Sequence, residues 1–141
     1  MRIKPITVLL VDDHEAVRKA LRALLQTEAD IKVVGEAENG HQAVAFATKL
    51  VPGVVVMDIA MPLLNGLDAI QRIRESTPAS TKVLVLSTHK DIAYIRHAEA
   101  LGAAGYLIKQ SDTHTLAAAI RAVHGDSPFY CPRQPAPVEQ S

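Results

Sequence analysis

At 141 residues the chain is long enough for one domain that buries its core without disulfides or a structural metal. Apolar types make up 48% and charged types 21%, which excludes a disordered or fibrous composition, and fifteen basic residues balance fifteen acidic ones, which removes the general electrostatic footprint of a nucleic-acid or anionic-membrane binder. The single cysteine, Cys131, rules out an intrachain disulfide or a cysteine-based zinc cluster, and no signal-peptide core or membrane-length apolar run occurs, so a cytoplasmic chain is the expectation.

In chain order, short apolar runs rich in Val, Ile and Leu alternate with segments of helical period, the pattern of a parallel sheet covered by helices on both faces. The first strand is expected at Ile6–Val11, followed by a helix whose apolar face is Val17, Leu21, Leu24 and Leu25. A second strand at Ile31–Gly35 precedes a weaker helical face of Ala43, Val44 and Ala47. The third strand, Val54–Met57, leads through an Asn65-Gly66 turn to a helix marked by Leu67, Ile70 and Ile73. Val83–Leu86 is the fourth strand, and its helix, capped by Asp91, carries Ile92, Ile95, Ala98 and Leu101 and stops at Gly102. The fifth strand, Tyr106–Ile108, precedes a helix capped by Ser111 or Asp112, with Leu116, Ala119, Ile120 and Val123 on its apolar face and Gly125 as its stop. Continuous rather than alternating hydrophobicity in the strands predicts burial on both faces. From Asp126 the periodicity ends, and DSPFYCPRQPAPVEQS holds four of the eight prolines. Residues 4–125 therefore read as one domain and residues 126–141 as a Pro-rich linker or tail, with no internal repeat beyond the strand–helix alternation.

Open parallel α/β sheets gather their binding groups just past the carboxyl ends of the strands. The first run ends in Asp12 and Asp13, the third in Asp58, the fourth in Ser87 and the fifth in Lys109. Each alone has an ordinary structural reading as a cap, a turn residue or a solvated lysine. Together they describe a reaction site. Converging carboxylates repel unless some are protonated or a hard cation sits among them, and an all-oxygen ligand set favours Mg²⁺, which completes its shell with water and phosphate oxygens. Lys109 supplies a mobile positive charge and Ser87 a hydroxyl donor for phosphoryl oxygens, and one carboxylate can serve as nucleophile to form an acyl phosphate. Little else is needed, because phosphoryl transfer is mainly positioning and charge neutralisation.

These residues resemble the receiver domains of two-component response regulators over nearly the whole predicted domain. VLLVDDHEAVRKAL is similar to the family's opening strand, acidic pair and first helix, and VVVMDIAMPLLNGLDAI to its phosphoacceptor strand and Met-Pro loop; VLVLSTH and GAAGYLIKQ match its hydroxyl and lysine motifs. VVGEAENG and YLIKQS look like the NarL/FixJ subfamily, whose members usually continue into a LuxR-type helix-turn-helix. The resemblance implies a flavodoxin-like (βα)5 fold, a single three-layer α/β/α domain with a five-stranded parallel sheet in the order 2-1-3-4-5. It implies that Asp58 accepts a phosphoryl group from a sensor histidine kinase or a small phosphodonor. Asp13, Asp58 and the Ala60 carbonyl would ligate Mg²⁺, with Asp12 acting through water. Lys109 would pair with the phosphoryl group, Ser87 and Tyr106 would form the switch, and Ala60 and His89 would tune phosphoryl lifetime. The transfer is self-catalysed and followed by autodephosphorylation, so the chain is not a conventional enzyme. Homodimerisation and control of transcription through a C-terminal DNA-binding domain outside this chain complete the implied picture.

Gln110 stands where the family often has a proline joined by a cis bond, so a trans peptide or a strained turn is expected after Lys109. Tyr106 also reads as an ordinary core aromatic, His41, His97, His114 and His124 as surface residues, His14 and His89 as residues at the site's edge, and Pro62 and Gly66 as loop formers. Three other functions compete: a single-domain receiver acting by protein contacts, a pseudo-receiver independent of phosphate, and an aspartate-dependent phosphatase of the haloacid dehalogenase kind. The last needs a DxD nucleophile motif after the first strand, where Asp12 and Asp13 are instead adjacent, and the pseudo-receiver is usually marked by loss of an acidic or lysine position, none of which is lost.

Overall fold

Successive side chains of a strand point to opposite faces, and here both sets are apolar, so a helix layer is needed on each side. A computed structural model describes residues 4–58, 66–87, 92–108, 113–127 and 129–131. Along the chain run β1 (Ile6–Val11), α1 (Glu15–Leu25), β2 (Ile31–Ala37), α2 (Gly40–Leu50), β3 (Val54–Asp58), α3 (Gly66–Ser76), β4 (Lys82–Ser87), α4 (Ile92–Ala100), β5 (Gly105–Ile108), α5 (Thr113–His124) and β6 (Phe129–Cys131). The strands form one parallel sheet in the order β2-β1-β3-β4-β5-β6. The five expected strands thus take the expected 2-1-3-4-5 order. Leu9, Val11, Val55, Met57, Val83, Val85 and Tyr106 face the layer of α2, α3 and α4, where Ala43, Ala47, Ile70, Ile73 and Ala98 meet them. Val8, Leu10, Val54, Val56, Leu84, Leu86 and Leu107 face α1 and α5, against Leu25, Leu116, Ala119, Ile120 and Val123.

Three features depart from the sequence pattern. Strand β2 runs two residues past Gly35, because a register shift between Val8 and Leu9 sets Gly35 opposite Leu9 and lets Glu36 and Ala37 pair with Leu10 and Val11. Helix α1 buries Leu25 and Arg18 while Val17 and Leu24 are exposed, so its expected apolar face is only partly the core face. The sheet also does not end at β5. Phe129–Cys131, inside the expected tail, pairs in parallel with Gly105–Leu107 as a sixth strand. A Cβ on Gly105 would lie 2.6 Å from the Phe129 carbonyl oxygen, so the bare glycine is what lets this edge close. Periodicity cannot reveal a three-residue strand flanked by prolines.

Helix ends follow local chemistry. The Asn39 side chain accepts from Gln42 N at 2.9 Å while Gln42 Oε1 accepts from Glu38 N at 2.8 Å, a reciprocal cap that starts α2. Gly102 takes the left-handed conformation, φ 111°, that ends α4, as its sequence position predicts. Helix α5 closes with Gly125 N donating to Arg121 O and Ala122 O, but the left-handed residue is Asp126, whose carboxylate lies 2.7 Å from Lys82 Nζ and turns the chain toward β6. The expected caps Asp91, Ser111 and Asp112, the turn residue Asn65, the loop former Pro62 and Gln110 lie outside the described residues, whereas Gly66, expected to shape the loop, is the first residue of α3.

Candidate functional site

Strands β1 and β3 are neighbours at the point where the chain order of the sheet reverses, and both end in acids. The Asp12 and Asp58 residues are 2% and 3% exposed, which is too little for carboxylates that merely decorate a surface. Asp13 and His14 follow at the mouth. One ligand-competent atom from each of Asp12, Asp13, His14 and Asp58 falls within 4.8 Å of the other three. The sequence expectation that the first and third strands deliver carboxylates to one spot is therefore met in space.

The loop carrying these acids is braced from behind. Asp12 N donates to Ala37 O at 3.1 Å, tying it to the end of β2. The His14 amide donates to Asp12 Oδ1 at 2.8 Å, closing a tight turn across the acidic pair. The 6%-exposed Arg18 donates from Nη1 to the Asp12 carbonyl oxygen at 2.8 Å and from Nε to Glu36 Oε1 at 2.7 Å. Arg22 and Lys19 converge on the same carboxylate, Arg22 at 2.6 Å. Burial alone pushes the Glu36 carboxyl up, but the hydrogen bonds from Arg18, Arg22 and Lys19 prevail and hold it at about 2. The sequence reading missed Arg18 and Glu36. The available signal was a glutamate at the end of the second apolar run together with an arginine one turn into the preceding helix.

Of the other predicted site residues, Ser87 is the last residue of β4, paired with Ile108 and one position beyond the Asp58 partner Leu86. Its side chain lies outside the described part of the molecule. Tyr106 is fully buried in β5, on the face covered by α2, α3 and α4. Lys109, next in sequence after β5, and Ala60 and His89, each two residues in sequence past the ends of β3 and β4, fall outside the described residues. His41, His97, His114 and His124 are exposed, as expected.

A doubly wound parallel α/β domain with its strands in the order 2-1-3-4-5 belongs to the flavodoxin-like fold class, and here its switch point is lined by buried carboxylates. Within it the assignment is specific: residues 8–121 match the response regulator receiver domain, and the chain belongs to that family. Relatives include the response regulator UvrY of Escherichia coli, 42% identical over 119 residues, which cover 84% of this chain and 54% of UvrY, and the transcriptional regulatory protein DegU of Brevibacillus brevis, 36% identical over 128 residues, covering 91% and 54%. The chain thus spans about half the length of these relatives. Among solved structures, a LuxR-family two-component response regulator from Aurantimonas superposes with a TM-score of 0.84 at 31% identity, covering 89% of each chain. The isolated receiver domain of RcsB from Salmonella enterica, determined with the phosphomimetic BeF3⁻, gives 0.80 at 26% identity, covering 90% of this chain and 94% of that one. The chain is accordingly a receiver domain of the two-component response regulators, and DegU among these relatives is a transcriptional regulatory protein. Among the described residues no helix is long and apolar enough to cross a membrane.

Proposed function

We propose that this receiver is a phosphorylation switch with Asp58 as the acceptor. The observation that supports it best is the buried carboxylate of Asp58 at the end of β3, with Asp12 and Asp13 ligand atoms inside the same 4.8 Å cluster. An all-oxygen donor set from these acids fits Mg²⁺, with Asp13, Asp58 and the Ala60 carbonyl as the protein ligands and Asp12 acting through water; when bound, the ion neutralises the phosphoryl oxygens. A carboxylate oxygen of Asp58 attacks the phosphorus. The P–N bond of a kinase phosphohistidine, or the P–O bond of a small phosphodonor, breaks as the new P–O bond forms, giving an aspartyl phosphate and the free leaving group. Lys109 places its ammonium on a phosphoryl oxygen, and the Ser87 hydroxyl donates to another. Water later hydrolyses the aspartyl phosphate, which releases inorganic phosphate and returns the Asp58 carboxylate.

The switch is read through Ser87 and Tyr106. Because Tyr106 is packed in the core beneath α4, a change in its rotamer moves the surface of α4 and β5, with a coupling on the usual allosteric scale of ~1 to 3 kcal/mol. Ala60 and His89 tune the lifetime of the phosphoryl group. The functional unit runs from residue 4 through β6, whose Phe129–Cys131 completes the sheet, and the residues after it form the linker to an output. That output is control of transcription by a helix-turn-helix outside this chain, in a cytoplasmic regulator partnered by a sensor histidine kinase and acting as a homodimer.

The test is to incubate the chain with acetyl phosphate and Mg²⁺ and follow its intact mass. One phosphoryl adduct, lost in Asp58→Asn and in excess chelator, is expected. No adduct with any donor, or an undiminished adduct in Asp58→Asn, overturns the reading.

A further inference from the structure

His14 stands at the N-cap of α1, a position where Ser, Thr, Asp or Asn normally accepts a backbone hydrogen bond. Its backbone there is extended, φ −96° and ψ 105°, but its side chain makes no capping bond. The ring turns back instead. Its Nδ1 lies 3.2 Å from Asp12 Oδ1 and 3.1 Å from Asp13 Oδ1, although the side chain is 65% exposed and free to point into solvent. Both are hydrogen-bonding distances, so the imidazole nitrogen rests on the acidic pair, in one cluster within 4.8 Å with ligand atoms of Asp12, Asp13 and Asp58, where an ion held by Asp13 and Asp58 would come within its reach.

On the reading above that the acidic pocket holds a divalent cation, we propose that His14 is a nitrogen ligand of that ion and sets the pocket's selectivity. With oxygen donors alone the pocket suits Mg²⁺. An added imidazole favours divalent transition ions, with affinity rising along the series from Mn²⁺ to Co²⁺ and Ni²⁺, whereas Mg²⁺ gains little from nitrogen. The turn closed by the His14 amide on Asp12 Oδ1 holds the ring at the mouth of the site before any ion arrives.

Calorimetric titration of the full chain at pH 7.5 with Mg²⁺, Mn²⁺ and Co²⁺ tests this, in wild type, His14→Ala, His14→Asn and Asp13→Asn. The asparagine variant restores a capping side chain while removing the imidazole, so a loss shared by both His14 variants cannot come from an unravelled helix end. The wild type should prefer Co²⁺ over Mg²⁺. Both His14 variants should lower that preference by about ten-fold or more while changing Mg²⁺ affinity by less than about three-fold. Asp13→Asn should weaken every ion, which separates the pocket from the other histidines. An unchanged Co²⁺/Mg²⁺ ratio in both His14 variants overturns the inference and leaves the pocket reading intact. Tighter binding of all ions in those variants also overturns it, since the ring would then be only a cationic partner of the carboxylates. Absence of binding to wild type, or binding indifferent to Asp13→Asn, overturns the inference and the pocket reading together.

Discussion

Replacing Glu36 by glutamine should remove a pH-dependent part of the domain's stability. Glu36 is held at about 2 against an ordinary value of 4.5 because Arg18, Arg22 and Lys19 all donate to a side chain that is only 11% exposed. A shift of this size corresponds to on the order of 3 kcal/mol of stabilisation, about 2 kcal/mol once the solvent-exposed Arg22 and Lys19 are allowed for. Since the folded value lies below the unfolded one, the contribution is complete above pH 4.5 and is lost as the pH falls toward about 2. At pH 3.5 roughly two-fifths of it should be gone. Urea unfolding of wild type and Glu36→Gln, followed by circular dichroism between pH 7 and pH 3.5, should show a gap of about 2 kcal/mol that narrows as the pH drops. A gap of the same size at both ends would mean that the substituted amide simply packs worse than the carboxylate. A gap under ~0.5 kcal/mol throughout would mean that the three cations do not act on this carboxylate.

Val51, at the C-cap of α2, is a β-branched residue at φ 45° and 47% exposed, so Val51→Gly relieves left-handed strain with little loss of burial and should stabilise the domain by about 1 kcal/mol in thermal or urea unfolding. Destabilisation there would show that the strain is not carried at this residue. Gly105→Ala places a methyl group 2.6 Å from the Phe129 carbonyl oxygen and about 3.0 Å from both Leu84 and Val123, so it should cost ~1 to 3 kcal/mol and raise amide hydrogen exchange at residues 129–131 above that of β4. Exchange at 129–131 unchanged in the variant would place β6 independently of Gly105.

What was legible in the sequence follows from how strongly each element is written in burial. Val8 to Val11 and Val54 to Met57 are apolar on both faces, so their strand character and central place in the sheet show without tertiary information. Asp12, Asp13 and Asp58 were legible for the complementary reason, that each ends an apolar run where no core position would tolerate an acid. Arg18 was not legible, because its guanidinium is buried only by satisfying the Asp12 carbonyl and Glu36, partners six and eighteen residues away. The grouping of His14 with the carboxylates depends on the turn that its own amide closes, and adjacency in sequence does not fix where a ring points. Strand β6 is set by the space beside Gly105, a property of its neighbour rather than of Phe129–Cys131 themselves.

The central claim is that a phosphoryl group is accepted at one strand-end carboxylate, and chemical mapping of that position tests it most directly. After incubation with acetyl phosphate and Mg²⁺, borohydride reduction converts an aspartyl phosphate to homoserine, which peptide mass analysis then locates. The account predicts homoserine at residue 58 alone, absent when the ion is chelated. Homoserine at residue 12 or 13 with residue 58 unmodified would contradict it.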